Sequence, residues 1–325
     1  MAESSDDSGL LPRIPVGEWV DTAFDWVTEN FEPVLDAIST ASGAGVDGLT
    51  DALLLPPAIL LAALLALLGG VLRSVRFGIA SLVGLLLLIS MEMWEPAMQT
   101  LALILVATVI AVAIGIPVGI AAAKSSRVSA VVRPVLDFMQ TMPALVYLIP
   151  AVTFFGIGVV SGVVMTIIFA LPPGVRLTEL GIRQVDGELV EAGHAFGSPP
   201  GKILRGVQLP LALPTIMAGV NQVIMLALSM AVIAGFVGAG GLGGLVVTSL
   251  SRLDLGLGVE AGLAVVILAI YLDRLTSAFG QQRRGFPSFL SRGGTVTTTA
   301  AASSRSVDAP VTGATDQNAR PEPAR

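Results

Sequence analysis

Glu191-Ala192-Gly193-His194-Ala195-Phe196-Gly197 opens the stretch on which the reading of this chain turns, and nine residues later Val207-Gln208-Leu209-Pro210 closes it. Val185, Leu189, Ala192 and Phe196 recur at helical spacing, which predicts an amphipathic helix over 184–196. Gly197 follows the last periodic residue, where helices commonly end in a left-handed conformation that glycine takes without a Cβ penalty. Ser198 can cap a following helix, and Pro199 suits its first turn. That second helix is expected to run to about Val207 and to stop before Pro210. The sequence therefore places two short helices and a sharp turn in a polar interval, 175–211, between two apolar runs.

Those apolar runs set the class. Of 325 residues, 54% are hydrophobic and 13% charged, and the mean hydropathy is +0.83. Soluble domains carry about 25% charged residues. Uncharged apolar stretches of about 20 residues read as membrane helices, because backbone in lipid must satisfy its own hydrogen bonds. Seven such segments are expected, near 54–72, 77–92, 97–123, 135–157, 159–174, 212–238 and 259–280. The fourth is interrupted by Pro143, Pro150 and Gly156, and the fifth is short. The alternation of a transmembrane barrel is absent. The chain has no cysteine and one histidine, so neither disulfides nor a structural zinc site are expected. The first ten residues, MAESSDDSGL, lack the basic and apolar regions of a cleavable signal peptide.

Basic residues predict the orientation. Arg73 and Arg76 follow the first segment, and Lys124, Arg127 and Arg133 follow the third. Arg176, Arg183, Lys202 and Arg205 follow the fifth, and Arg283 and Arg284 the seventh. All these loops fall on one side. The expected fold is thus an all-α polytopic membrane protein of about seven transmembrane helices, with its amino terminus outside and its carboxyl terminus inside. The 175–211 loop is then cytoplasmic. Residues 1–52 hold one basic residue, Arg13, against eleven acidic ones. This acidic external segment contains Trp19, Val20, Ala23, Phe24, Trp26, Val27 and Phe31 near helical spacing, as in an amphipathic helix at the membrane interface. Two helices are expected in 53–96. Residues 286–325, rich in Ser, Thr, Ala and Pro, are expected to form a disordered tail.

The spacing of Glu191, Ala192, Gly197, Leu209 and Pro210 resembles the coupling signature of ABC importer permeases. Gly193 and Val207 stand where that signature has Ala and Ile. Asp137-Phe138-Met139-Gln140-Thr141-Met142-Pro143, Tyr147-Leu148-Ile149-Pro150-Ala151, the run from Val207 to Gln222, and Ile270 to Thr276 resemble the glycine betaine/proline-type permeases. The resemblance covers 97–280 strongly and implies a type I permease core there. It also implies an importer of compatible solutes such as glycine betaine, proline, choline or carnitine. The implied partners are ABC ATPase subunits, an extracytoplasmic substrate-binding protein and a second permease subunit, expected as a homodimer. On this reading the chain is not an enzyme and holds no cofactor. ATP and magnesium belong to the ATPase, and the other surroundings are membrane lipid, with no nucleic acid.

Polar groups inside spans are expensive and commonly functional. Gln140, Thr141 and Tyr147 in the fourth segment, with Asn221, Gln222 and Ser229 in the sixth, are the candidates for a translocation path. An uncharged, hydrogen-bonding path suits a zwitterionic solute. The alternative is that they stitch helix to helix. Gly235, Gly238, Gly240, Gly241, Gly243 and Gly244 form either a close-packing cluster or an outer gate. Gly197-Ser198-Pro199-Pro200-Gly201-Lys202-Ile203 only echoes a phosphate loop: three residues, not four, separate the outer glycines and Ile follows the Lys. An ion-coupled secondary transporter is the rival class. It is disfavoured because no Asp, Glu, Lys or Arg occurs from Gly206 to Ser251. A gated channel would not need the signature.

Overall fold

The structure, a computed structural model, describes residues 15–281, so residues 1–14 and the tail expected at 286–325 lie outside the described part. Every regular element among the described residues is helical. In chain order they are α1 (Val16–Leu54), α2 (Ala58–Leu72), α3 (Val75–Ser90), α4 (Trp94–Lys124), α5 (Ser126–Thr141), a 3-10 turn (Ala144–Tyr147), α6 (Leu148–Phe155), α7 (Val159–Arg183), α8 (Gly187–Ala195), α9 (Pro200–Ile203), a π-helical turn (Leu204–Gln208), α10 (Leu209–Ile233), a second 3-10 turn (Ala234–Val237), α11 (Gly241–Arg252) and α12 (Leu255–Gln281).

Among the described residues, four helices are long and apolar enough to cross a membrane: 94–124, 159–183, 200–237 and 255–278. Two further pairs meet the test only as bent pairs, which gives at most six crossings by length and composition. The expected first span is the second limb of one such pair. Helix α1 runs to Leu54, across the boundary expected at 52, and Pro56-Pro57 turn the chain by 100° into α2. The expected fourth span starts earlier, at Ser126, and breaks by 105° before its second limb. The cause is local. Pro143 disfavours helical backbone at Met142, whose ψ is 133°, and the helix stops there. The fifth span is nine residues longer than expected, because α7 passes through Pro172-Pro173 and continues to Arg183.

Helix α7 is the centre of the bundle. It lies parallel to α4: Arg183 Nη2 donates to the Ala122 carbonyl at 2.8 Å at one end, and Leu103 packs near Gly162 toward the other. It lies antiparallel to α10, with Gly181 beside Thr215 and Gly174 beside Val223. Such packing needs small residues, since lipid supplies no hydrophobic drive between helices. At Gly119 the approach is closest to the loop end. A Cβ there would lie 2.6 Å from Thr178 Cβ and 2.7 Å from the Val175 carbonyl. The broken α5–α6 segment also follows α7 along its length. Ser129 bonds Glu179 near the C-terminus of α7, and Ser161 near its N-terminus bonds the Ala151 carbonyl at 3.1 Å.

Helices α2 and α3 form a hairpin closed against α12, where the Tyr271 hydroxyl donates to the Leu65 carbonyl at 2.9 Å. The glycine cluster is a close contact: a Cβ on Gly235 would lie 2.2 Å from the Gly243 carbonyl oxygen. Helix α11 was not expected in so Gly-rich a run. Its first amides are satisfied from α4, by Gln99 Oε1 (3.1 Å from Gly241 N) and Thr100 Oγ1 (2.8 Å from Leu242 N). In α1, Phe24 stacks on Phe154 of α6 at 4.7 Å, whereas Trp19 and Trp26 are exposed.

Gly119→Ala forces α4 from α7 and is expected to cost about 1–3 kcal/mol. Gly262→Ala, where nothing lies within 4 Å of the added methyl, is expected to be neutral or stabilising. Thermal melts of the two variants in detergent check the contrast.

Candidate functional site

The polar interval folds as a helix, a tight turn and a second helix, with shifted boundaries. Asp186 occupies the N-cap of the first helix, its carboxylate accepting from Glu188 N at 3.0 Å, so α8 starts at Gly187 rather than at 184. Gly197 has φ +72°. Its N–H donates to the His194 carbonyl at 2.9 Å and the Ser198 N–H to the Gly193 carbonyl at 3.1 Å, which is a Schellman closure. Pro199, not Ser198, precedes the second helix, and no side chain caps it. That helix does not stop before Pro210. It widens into the π-helical turn at Leu204–Gln208 and continues into α10. Pro210 has no N–H for the carbonyl one turn back and its ring crowds that turn, and the wider turn accommodates both.

The corner is braced from inside. Ile203 is buried, and a Cβ on Gly193 would lie 3.1 Å from its Cγ1. Its outside is bare: Phe196 is 89% exposed and Leu189 47%. Glu191, Ala192 and Gly197 are exposed, and Leu209 and Pro210 are half-buried where the loop joins α10. A hollow of about 600 Å³ beside the second helix is lined by Lys124, Lys202 and Arg205.

Next to the loop sits a charge cluster that the sequence reading missed. The Glu179 carboxylate, its side chain 5% exposed, lies at the foot of α7. Its Oε1 accepts from Ser129 Oγ at 2.8 Å and Arg133 Nη2 at 3.0 Å, both on α5, and is 2.9 Å from Arg183 Nε. Arg176 and Asp137 pair beside it. The signal was a single carboxylate in an apolar helical run with Arg176 three residues before it and Arg183 four after, on one helical face.

The path candidates divide into two groups. Gln140, Thr141 and Tyr147 gather at the break between α5 and α6. Gln140 is exposed, Thr141 donates to the Phe138 carbonyl at 3.1 Å, and the buried Tyr147 donates to the Met139 carbonyl. Asn221 instead turns to α12. Its Nδ2 donates to Asp273 Oδ1 at 3.1 Å, and its Oδ1 accepts from Thr276. Gln222 is exposed, and Ser229 donates to the Met225 carbonyl at 3.1 Å. Among the described residues no hydrogen bond joins the first group to the second.

A family model described as the binding-protein-dependent transport system inner membrane component matches residues 115–285, which span the broken segment, α7, the loop and α10. The chain belongs to this family. It is 49% identical over 266 residues to the glycine betaine transport system permease protein OpuAB of Bacillus subtilis, covering 82% of this chain and 94% of that one. It is 49% identical over 271 residues to the glycine betaine/proline betaine transport system permease protein ProW of Escherichia coli, covering 83% and 77%. The glycine betaine/carnitine transport permease protein GbuB of Listeria monocytogenes is 50% identical over 280 residues, covering 84% and 98%. Inward-facing structures of the MetNI methionine ABC transporter share the fold. One has a TM-score of 0.53 at 23% identity, over 56% of this chain and 92% of that one. The chain is therefore a multi-pass cell-membrane protein with a type I permease fold, and its homologues are transport components.

Asn221→Leu removes a bond between α10 and α12 and is expected to lower stability by about 0.6 kcal/mol or more. The exposed Gln222→Leu should leave the melting temperature unchanged. Parallel melts of the two variants measure this.

Proposed function

We propose that this chain is the membrane-spanning subunit of an ATP-driven importer of compatible solutes, with glycine betaine, proline, choline and carnitine as the candidate class. The carrying observation is the loop: a corner braced by Ile203, continuous through α9 with α10 and separated from α7 by three residues, that presents Phe196 and Leu189 without cover. Exposed aromatic and apolar residues on an otherwise polar loop suit docking into a partner groove. The basic residues flanking the loops support a cytoplasmic position for this corner, where an ATPase would engage it. Glu191, Ala192, Gly197, Leu209 and Pro210 then form the coupling element. ATP and magnesium bind the partner, and a loaded external binding protein delivers the solute. A second permease subunit, identical in the simplest assembly, completes the channel.

The solute path follows the break between α5 and α6 and the facing stretch of α10. Gln140, Thr141 and Gln222 offer uncharged hydrogen-bonding groups, and Tyr147 shapes the break from within. Asn221 contributes by holding α10 to α12. A zwitterion passes such a lining without meeting a fixed charge that would trap it.

The test is ATP hydrolysis by the chain co-assembled with its ATPase in nanodiscs, with binding protein loaded with each candidate solute. Stimulation by one loaded binding protein is the expected result and identifies the solute. Flux driven by an ion gradient without ATPase association would overturn the proposal. Gly197→Val puts a β-branched residue at φ +72°, a cost of about 1–2 kcal/mol at the turn alone. This variant is expected to insert normally and to lose the stimulation, and solute uptake at the wild-type rate would contradict the role given to the loop.

A further inference from the structure

Glu179 has no part in the reading above, yet it is the most heavily engaged side chain near the loop. It receives Ser129 and Arg133 from α5 and Arg183 from its own helix. Arg183 also holds the Ala122 carbonyl at the end of α4, and it is the last residue of α7, three before the Asp186 cap of α8. One carboxylate thus joins the ends of α4 and α7 and the start of α5 to the root of the loop. From there α5 leads directly to the break that carries Gln140 and Thr141. Helix α8 itself packs mainly on α9 and the π-helical turn, so it has little direct hold on α5.

We propose that Glu179 is the positioning residue through which the loop moves the broken segment. Pulling α5 away would strip this buried carboxylate of Ser129 and Arg133, two of its three partners, and leave it with Arg183 alone, which is unfavourable. The cluster therefore stays closed as the loop is displaced, and α5 is carried with α7 as one body. The Arg176–Asp137 pair, more exposed at 39% and 65%, adds a weaker second tie. The inference rests on the coupling reading and adds a specific route between the ATPase side and the path.

The experiment measures solute imported per ATP hydrolysed in proteoliposomes holding the full complex. Glu179→Gln keeps an acceptor for Ser129 and loses both charge pairs. Hydrolysis stimulated by loaded binding protein is expected to persist, while solute per ATP falls about tenfold, in the range of an ordinary coupling between sites. Arg133→Gln, at a residue with a 60% exposed side chain, is expected to lower the ratio in the same direction even if Glu179→Gln accumulates poorly. The chain has no cysteine, so Ser129→Cys with Glu179→Cys can be bridged selectively. A short bifunctional thiol linker, spanning more than the few ångströms of a disulfide, is expected to restore the ratio that the unbridged pair lacks. A purely structural role would reduce folded complex, hydrolysis and uptake together at an unchanged ratio, and that result overturns the inference. If the wild-type complex itself shows no stimulation, the coupling reading fails, and the inference with it.

Discussion

The close approach of α7 to two neighbours is the constraint on which the rest of the structure depends. Helix α4 runs parallel to it and α10 antiparallel, and at Gly119 the backbones come so near that even a methyl group has no room. In lipid such contacts replace the hydrophobic effect as the force between helices, and they favour a single register. The loop between α7 and α10 inherits that register. Its two anchor points are held by a packed core, so its corner is placed by the bundle rather than by its own short helices.

Charge burial supplies the second constraint. A carboxylate among helices near a membrane boundary must be paired or it destabilises the fold. Glu179 meets this by taking two bonds from α5 and one from Arg183, which fastens the amphipathic α5 to the bundle where apolar packing alone is thin. Beyond Thr141 the segment breaks at Met142-Pro143 and turns by 105°, with Gln140 and Thr141 exposed at the break. Packing, charge and the break thus lie in series from the loop to the candidate path.

Local features of this arrangement were legible in the sequence. Gly197 was expected in a left-handed turn because it follows the periodic apolar residues, and it adopts φ +72°. Pro143 marked an interruption, since a residue before proline avoids helical backbone. The features that depend on distant partners were not legible. Helix α11 forms from a Gly-rich run because Gln99 and Thr100, 142 residues away, satisfy its first amides. The size of the bend after Thr141 and the overrun of α7 to Arg183 are set by packing. Two of the three partners of Glu179, Ser129 and Arg133, come from a helix some fifty residues earlier in the chain, and Asn221 spends its side chain on α12.

The proposed coupling makes the exposed corner of the loop the seat of an ATPase. Because the chain lacks cysteine, Ala195→Cys places a single thiol on the exposed end of α8 beside Phe196. Labelling that thiol with a membrane-impermeant maleimide in nanodiscs, with and without the ATPase, is the direct measurement. The account predicts ready labelling of the isolated permease and strong protection once the ATPase is bound. Equal labelling in a complex that demonstrably contains the ATPase would contradict it.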